Sequence, residues 1–283
     1  MVTEASSSRA HCAPVWSLFQ FFLLAFALMW VCFFTVALVP IPTNTALGQS
    51  LVLLGAFAPS LAALLVTART EGRPGVGMLL RGVIKWRVAV RWYLFAASYT
   101  VTVKLTVAVL HRVAVGVWPH FDAEPYYIVP FAILFSVPFQ AGEEIGWRGF
   151  ALPRLAERFG LSRASVVLGV IWGCWHLPQF FIREADTYQQ SFWVFVLGVT
   201  AFSVILAWLW QRTGGSLLLT MLLHAAWSNS KDIVPSGITG GTKTFGFHAS
   251  FVSWVTLAVL WVCSAYLLFF DMSTRRRHQP TPD

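Results

Sequence analysis

The chain has 283 residues, of which 57% are hydrophobic and 11% charged, and its formal net charge at pH 7 is +8. Soluble domains carry about 25% charged residues, so this composition excludes an ordinary soluble protein and indicates a polytopic membrane protein. Nucleic-acid binding is also excluded as the reason for the positive charge, because the basic residues follow a topological pattern beside the apolar segments.

Eight apolar segments follow one another along the chain, and together they predict an all-α, polytopic helical membrane bundle. A membrane-spanning helix needs roughly 20 apolar residues, and each segment is close to that length. The first is too long for a signal peptide and is expected to be a retained span. The segments cover residues 15–39, 50–68, 92–117, 126–147, 161–180, 190–210, 215–234 and 247–270.

The basic residues collect at one side of these segments. With the predicted spans, 14 of them lie on one side and four on the other: Arg9, Arg69, Arg73, Arg81, Lys85, Arg87, Arg91, Arg154, Arg158, Arg163, Arg212 and Arg275 to Arg277 against Arg112, Arg183, Lys231 and Lys243. Acidic residues cluster on the second side, at Asp122, Glu124, Glu184 and Asp186. By the positive-inside rule both termini are expected in the cytoplasm of a protein of the plasma membrane, which requires an even number of spans.

Two adjacent carboxylates, Glu143 and Glu144, fall together inside an apolar segment. Acidic groups are costly in a bilayer and mark functional sites there. On a helix, Glu144 and Arg148 are four residues apart and share a face, so we expect them to pair. Glu143 points about 100° away and is directed elsewhere. The structural alternative is a solvated helix end, with all three side chains in water.

Two histidines on other predicted spans weaken that alternative. His176 and His224 each lie inside an apolar segment, and helix rise puts them and Glu143 at a similar depth, roughly 16–20 Å from the basic side. Histidine and carboxylate side chains activate water or hold a metal. No cofactor is required by the sequence; a divalent metal such as zinc, with Glu143, His176 and His224 as its candidate ligands, is the one that these residues could hold.

The motifs Glu143-Glu144-x-x-x-Arg148, Trp172-x-x-x-His176 and His224 with a polar residue four positions on resemble those of the CPBP family. This family contains the type II CAAX prenyl endopeptidases and bacteriocin-processing and immunity proteins. The resemblance covers about residues 126–230, which would be the catalytic core. Residues 1–125 would then supply three spans and a basic loop, and residues 231–283 the last span and a basic tail.

The resemblance implies an intramembrane endopeptidase whose active site opens to the cytoplasm and whose substrate is a membrane-anchored peptide or protein, prenylated in the best-known cases. It implies that Glu143 activates the attacking water, that Arg148 holds Glu144, that His176 assists the water and that His224 lies near the developing oxyanion. Family members have been described both as metalloproteases and as metal-independent glutamate proteases.

Two positions depart from the family pattern. Trp172 stands where phenylalanine is usual, and we interpret this as a mild exchange of one aromatic residue for another. The last motif usually ends in asparagine four residues after the histidine, where this chain has Ser228, followed by Asn229. In a regular helix Asn229 is rotated by about 100° from that position, so either Ser228 or Asn229 is the candidate oxyanion donor.

Two other functions are compatible with the residues. The changed last motif favours a non-catalytic relative, a membrane scaffold or an immunity protein that binds without cleaving. The second alternative function is a transporter in which protons pass along a relay of Glu143, Lys104 and the histidines. It is less favoured, because the two halves of the chain lack matching interrupted spans.

Overall fold

A computed structural model of the protein describes residues 15–39, 41–121, 127–230, 234 and 244–272. These residues form helices and turns, and no strand occurs among them. The helices are α1 Val15–Leu38, α2 Ala46–Ala56, α3 Ala58–Thr70, α4 Gly72–Arg81, α5 Val90–Val115, α6 Ile128–Phe159, α7 Leu161–Trp175, α8 Phe192–Arg212, α9 Leu217–Ser230 and α10 Phe251–Asp271. The predicted all-α membrane bundle is confirmed.

The number of spans is close to the expected eight. Six helices in the described part of the chain are long and apolar enough to cross a membrane, and α2 with α3 forms a seventh candidate, bent by 52°. The bend follows from Pro59, which begins a new helix in its first turn, where a proline is tolerated. The predicted span at 215–234 corresponds to α9, which has 14 residues. Arg9, Asp122, Glu124, Lys231, Lys243 and the basic tail lie outside the described residues.

Helix α6 carries the two carboxylates and changes its hydrogen-bond register around them. It is a 3₁₀-helix over Val137–Gln140, an α-helix over Ala141–Glu144 and a π-helix over Ile145–Ala151. Pro138 and Pro153 lie at the two ends of this irregular stretch. Each proline lacks an N–H donor, so the regular series of backbone hydrogen bonds is interrupted at both positions. Before Pro153 the helix widens into the π-helical segment instead of ending.

Two close helix contacts fix the position of the carboxylates and of His176. A Cβ on Gly146 would lie 2.5 Å from the Pro59 ring, so only glycine lets α6 approach α3 this closely. Gly169 likewise lets α7 approach α8, because a Cβ there would lie 2.7 Å from the Thr200 Cα. Such small-residue contacts are the usual basis of helix packing in membranes. Two of the three predicted site helices, α6 and α7, are thereby held against neighbouring helices.

Candidate active site

The predicted pair of Glu144 and Arg148 forms at the centre of the bundle. Arg148 Nη1 donates to Glu144 Oε1 at 2.8 Å, and both side chains are fully buried. The wider π turn still brings residues four apart to the same side of the helix, so the pair survives the change in register. A buried charge without a partner costs several kcal/mol. Each of the two groups therefore depends on the other for its place in the bilayer core.

A third group joins this pair from α9. His224 Nδ1 lies 3.0 Å from the same Glu144 Oε1. The histidine is buried, and its ring meets the Trp172 ring edge-on at a centroid distance of 5.2 Å. Glu144 thus links α6 to α9 through His224, in addition to holding Arg148.

Glu143 has a different environment, as its predicted rotation away from Glu144 requires. Its side chain is half-buried, and its Oε2 accepts a hydrogen bond of 2.6 Å from the Trp172 indole nitrogen. It also lies close enough to His176 to interact with it electrostatically. Glu143 is therefore fixed through one oxygen, and its other oxygen is directed at no protein donor among the described residues.

In both histidines the same ring nitrogen, Nδ1, lies against an oxygen of the protein. His176 Nδ1 lies 2.8 Å from the Trp172 carbonyl oxygen, so this nitrogen must carry the proton. His224 Nδ1 faces an ionised carboxylate and is protonated for the same reason. In the neutral ring, Nε2 is then a proton acceptor in each case. His224 can donate a hydrogen bond from Nε2 to an oxyanion only when both of its ring nitrogens carry protons.

Trp172 is the residue whose importance the sequence did not reveal. Besides its bond to Glu143, its ring lies under the Arg148 guanidinium at 4.1 Å and near the rings of His176 and His224. It therefore contacts four candidates on the three site helices: Glu143, Arg148, His176 and His224. The signal was present in the sequence, because a tryptophan replaces the usual phenylalanine, but only the fold shows that its N–H reaches a carboxylate.

Ser228 and Asn229 take the positions expected in a regular helix. α9 is α-helical from Leu217 to Ser230, and the π segments of the described chain lie elsewhere, at Ile145–Ala151 and Leu267–Asp271. Asn229 Nδ2 donates to Ser136 Oγ at 2.6 Å and to the Ala225 carbonyl at 2.8 Å. Its amide is thus engaged with α6, whereas Ser228 lies one turn after His224 on the same face.

The donor types that zinc prefers are present, with the Nδ1 of each histidine oriented by a second partner as in many metal sites. However, no three His, Cys, Asp or Glu side chains within the described ranges come close enough together to hold an ion. Lys104, a member of the suggested relay, is buried in a separate apolar cluster with Val103 and Val107 and donates to the Val234 carbonyl at 3.2 Å.

Part of the chain is similar in sequence to known proteins. Residues 125–229 match the family model described as type II CAAX prenyl endopeptidase Rce1-like. Over 149 residues the chain is 28% identical to a CAAX prenyl protease 2 of Methanococcus maripaludis, covering 50% of this chain and 49% of that protein. The chain thus spans about half the length of this curated relative. The matched segment contains the carboxylate pair, Arg148 and both histidines, so this part of the chain is similar to the type II CAAX prenyl endopeptidases.

Proposed function

We propose that the protein is an intramembrane endopeptidase that uses Glu143 to activate water. The observation that carries this proposal is the contrast between the two carboxylates. Glu144 is fully buried and bound by Arg148 and His224, whereas Glu143 is half-buried and held through one oxygen only. Of the two, Glu143 is the one able to take a proton from water.

In the proposed reaction, Glu143 removes a proton from a water molecule whose oxygen attacks the carbonyl carbon of the scissile peptide bond. His176, with its Nε2 as acceptor, orients that water. The carbonyl oxygen becomes an oxyanion, and the proton then passes from Glu143 to the leaving nitrogen as the C–N bond breaks. General base catalysis of this kind contributes about 10²–10⁴-fold to a rate.

His224 is proposed to stabilise the oxyanion as an imidazolium paired with Glu144, with the Ser228 hydroxyl one turn further along α9. Asn229 is assigned a structural part, because its amide is already bound to Ser136 and Ala225. One oxyanion donor is worth about 10²–10³ in rate, so the two assignments differ by an amount that kinetics can measure.

The substrate class proposed is a membrane-associated peptide or protein. The name of the relative, CAAX prenyl protease 2, suggests a prenylated chain end as one form of it. The test is cleavage of prenylated and unprenylated peptides by the purified protein in lipid, with Glu143→Gln as the control. Activity that survives in Glu143→Gln would contradict the proposal. Measuring bound zinc, and activity after chelation, distinguishes a metal-dependent from a metal-independent reaction.

A non-catalytic relative that binds peptides remains the second candidate, and one observation favours it. The asparagine of the last motif is displaced by one position, and its amide is bound to Ser136 rather than to the site. This candidate predicts peptide binding without cleavage, equal in the wild type and in Glu143→Gln.

A further inference from the structure

A groove of about 510 Å³ lies between the start of α7 and the end of α10, outside the candidate active site. Its polar residues are Ser162 and Arg163, in the first turn of α7. Its other lining residues are apolar and come from three helices: Phe159 of α6, Val166 and Val167 of α7, and Leu268 and Phe269 of α10. This α7–α10 groove therefore joins an apolar wall to a guanidinium and a hydroxyl at one end.

The two helices that form the groove are both fixed to α8. Ser203 Oγ of α8 donates to the Ser165 carbonyl of α7 at 3.0 Å. Ser264 Oγ of α10 donates to the Ala201 carbonyl of α8 at 2.8 Å. The two walls of the groove therefore keep their relative positions through a common neighbour.

The groove lies at the edge of the apolar layer of the bundle. Both helices are long and apolar enough to span a membrane, over residues 161–181 and 251–271. Arg163 is the third residue of the first span, and Phe269 is the third residue from the end of the second, so both lie at the side where the basic residues collect. Helix rise puts Val167 about 6 Å deeper than Arg163. The polar end is therefore at headgroup level, and the apolar wall extends toward the acyl chains.

The two polar side chains at this end are available to a ligand. Arg163 is exposed, and neither its guanidinium nor the Ser162 hydroxyl makes a hydrogen bond or ion pair with another side chain in the described ranges. The first turn of α7 also lacks a side-chain cap, so its free N–H groups add a positive partial charge beside Arg163. The polar end of the groove therefore suits an anion.

The nearest carboxylates do not cancel this charge. Asp271, two residues after Phe269, is bound by Arg212 and by the Trp208 indole. Glu157 is exposed and does not line the groove. Three more arginines follow α10 in the sequence, at positions 275–277, outside the described residues. The charge of this region is thus complementary to a phosphate.

We propose that the α7–α10 groove binds one anionic phospholipid, with its phosphate at Arg163 and Ser162 and an acyl chain along Val167 and Phe269. A free phosphate ion would leave the apolar wall uncovered, and a neutral apolar molecule would leave the guanidinium unpaired. Basic pockets between membrane helices bind lipid headgroups in this way. The bound lipid bridges α6, α7 and α10, so it stabilises the folded protein. This inference does not depend on the proposed peptidase activity.

The headgroup is tested by the thermal midpoint of the purified, delipidated full chain in a neutral detergent. We expect dioleoyl phosphatidylglycerol to raise the midpoint at about fivefold lower concentration than dioleoyl phosphatidylcholine, the factor for one arginine facing an anionic lipid. Arg163→Gln should remove this difference. Arg73→Gln, which changes an exposed arginine on the basic side but outside the groove, is the matched control and should keep it. A difference that persists in Arg163→Gln, or that disappears equally in Arg73→Gln, would overturn the proposal.

The acyl chain is tested by filling the groove. Val167→Trp places a large ring on the apolar wall, whereas Val170→Trp, at a similarly exposed position of α7 outside the groove, is its control. Native mass spectrometry should show one more retained phosphatidylglycerol in Val170→Trp than in Val167→Trp. Glycerol 3-phosphate, which has the phosphate but no acyl chain, should leave the thermal midpoint unchanged. Equal retention by the two variants, or equal stabilisation by glycerol 3-phosphate and the lipid, would overturn the assignment of a phospholipid.

Discussion

Replacing Trp172 by phenylalanine tests whether the unusual residue of the second motif positions the catalytic base. The change keeps an aromatic ring under Arg148 but removes the indole N–H, which donates to Glu143 at 2.6 Å. Hydrogen bonds to charged groups contribute about 1.5–3 kcal/mol. Because Glu143 is half-buried, water can replace part of the lost bond, and we expect the lower limit, about 1.5 kcal/mol.

This loss corresponds to about a tenfold fall in kcat. The KM should stay within about twofold, because a group that acts only on the catalytic base changes kcat. The assay is steady-state cleavage of a quenched fluorescent peptide by the protein in lipid nanodiscs. Circular dichroism and the thermal midpoint are measured on the same samples, so that misfolding is not mistaken for a catalytic effect.

Trp30→Phe is the matched control. The Trp30 indole also donates one hydrogen bond, to the Trp175 carbonyl at 3.1 Å. Its ring packs against the Phe26 and Phe34 rings of α1 rather than against the site. It should lower the thermal midpoint without a change in kcat. Wild-type kcat in Trp172→Phe, or an equal fall of kcat in both variants, would refute the positioning of Glu143 by Trp172.

Further predictions concern the other site residues and the topology. Glu143→Gln should keep the fold and lower cleavage by at least about 10², seen as a rate loss at an unchanged thermal midpoint. Glu144→Ala and Arg148→Ala should each destabilise the protein by about 3–5 kcal/mol, measured by unfolding in detergent, because each leaves a buried charge alone. Ser228→Asn should preserve or raise kcat, whereas Asn229→Ala should mainly lower stability; a larger kcat loss in Asn229→Ala would reverse these roles. Reporter fusions at both ends should give cytoplasmic signals, and an outside signal at either end would contradict the predicted orientation.

The architecture and the charged pair were accessible from the sequence because each depends on local rules. Apolar length and helical periodicity identify spans regardless of how they pack, and a separation of four residues brings Glu144 and Arg148 together on any helix near α geometry. The register change between Pro138 and Pro153 did not disturb these conclusions, because a π turn moves a side chain by only part of a turn.

The partners of each side chain were not accessible, because they depend on helix rotation and on contacts between distant segments. Asn229 illustrates this, since its bond to Ser136 joins residues 93 positions apart. Trp172 illustrates it more strongly. Its chemistry was visible as an extra N–H group, but the acceptor, Glu143, is 29 positions away on another helix. The exchange of phenylalanine for Trp172 keeps the aromatic ring, but it also adds the indole N–H donor, and so it is more than a mild change.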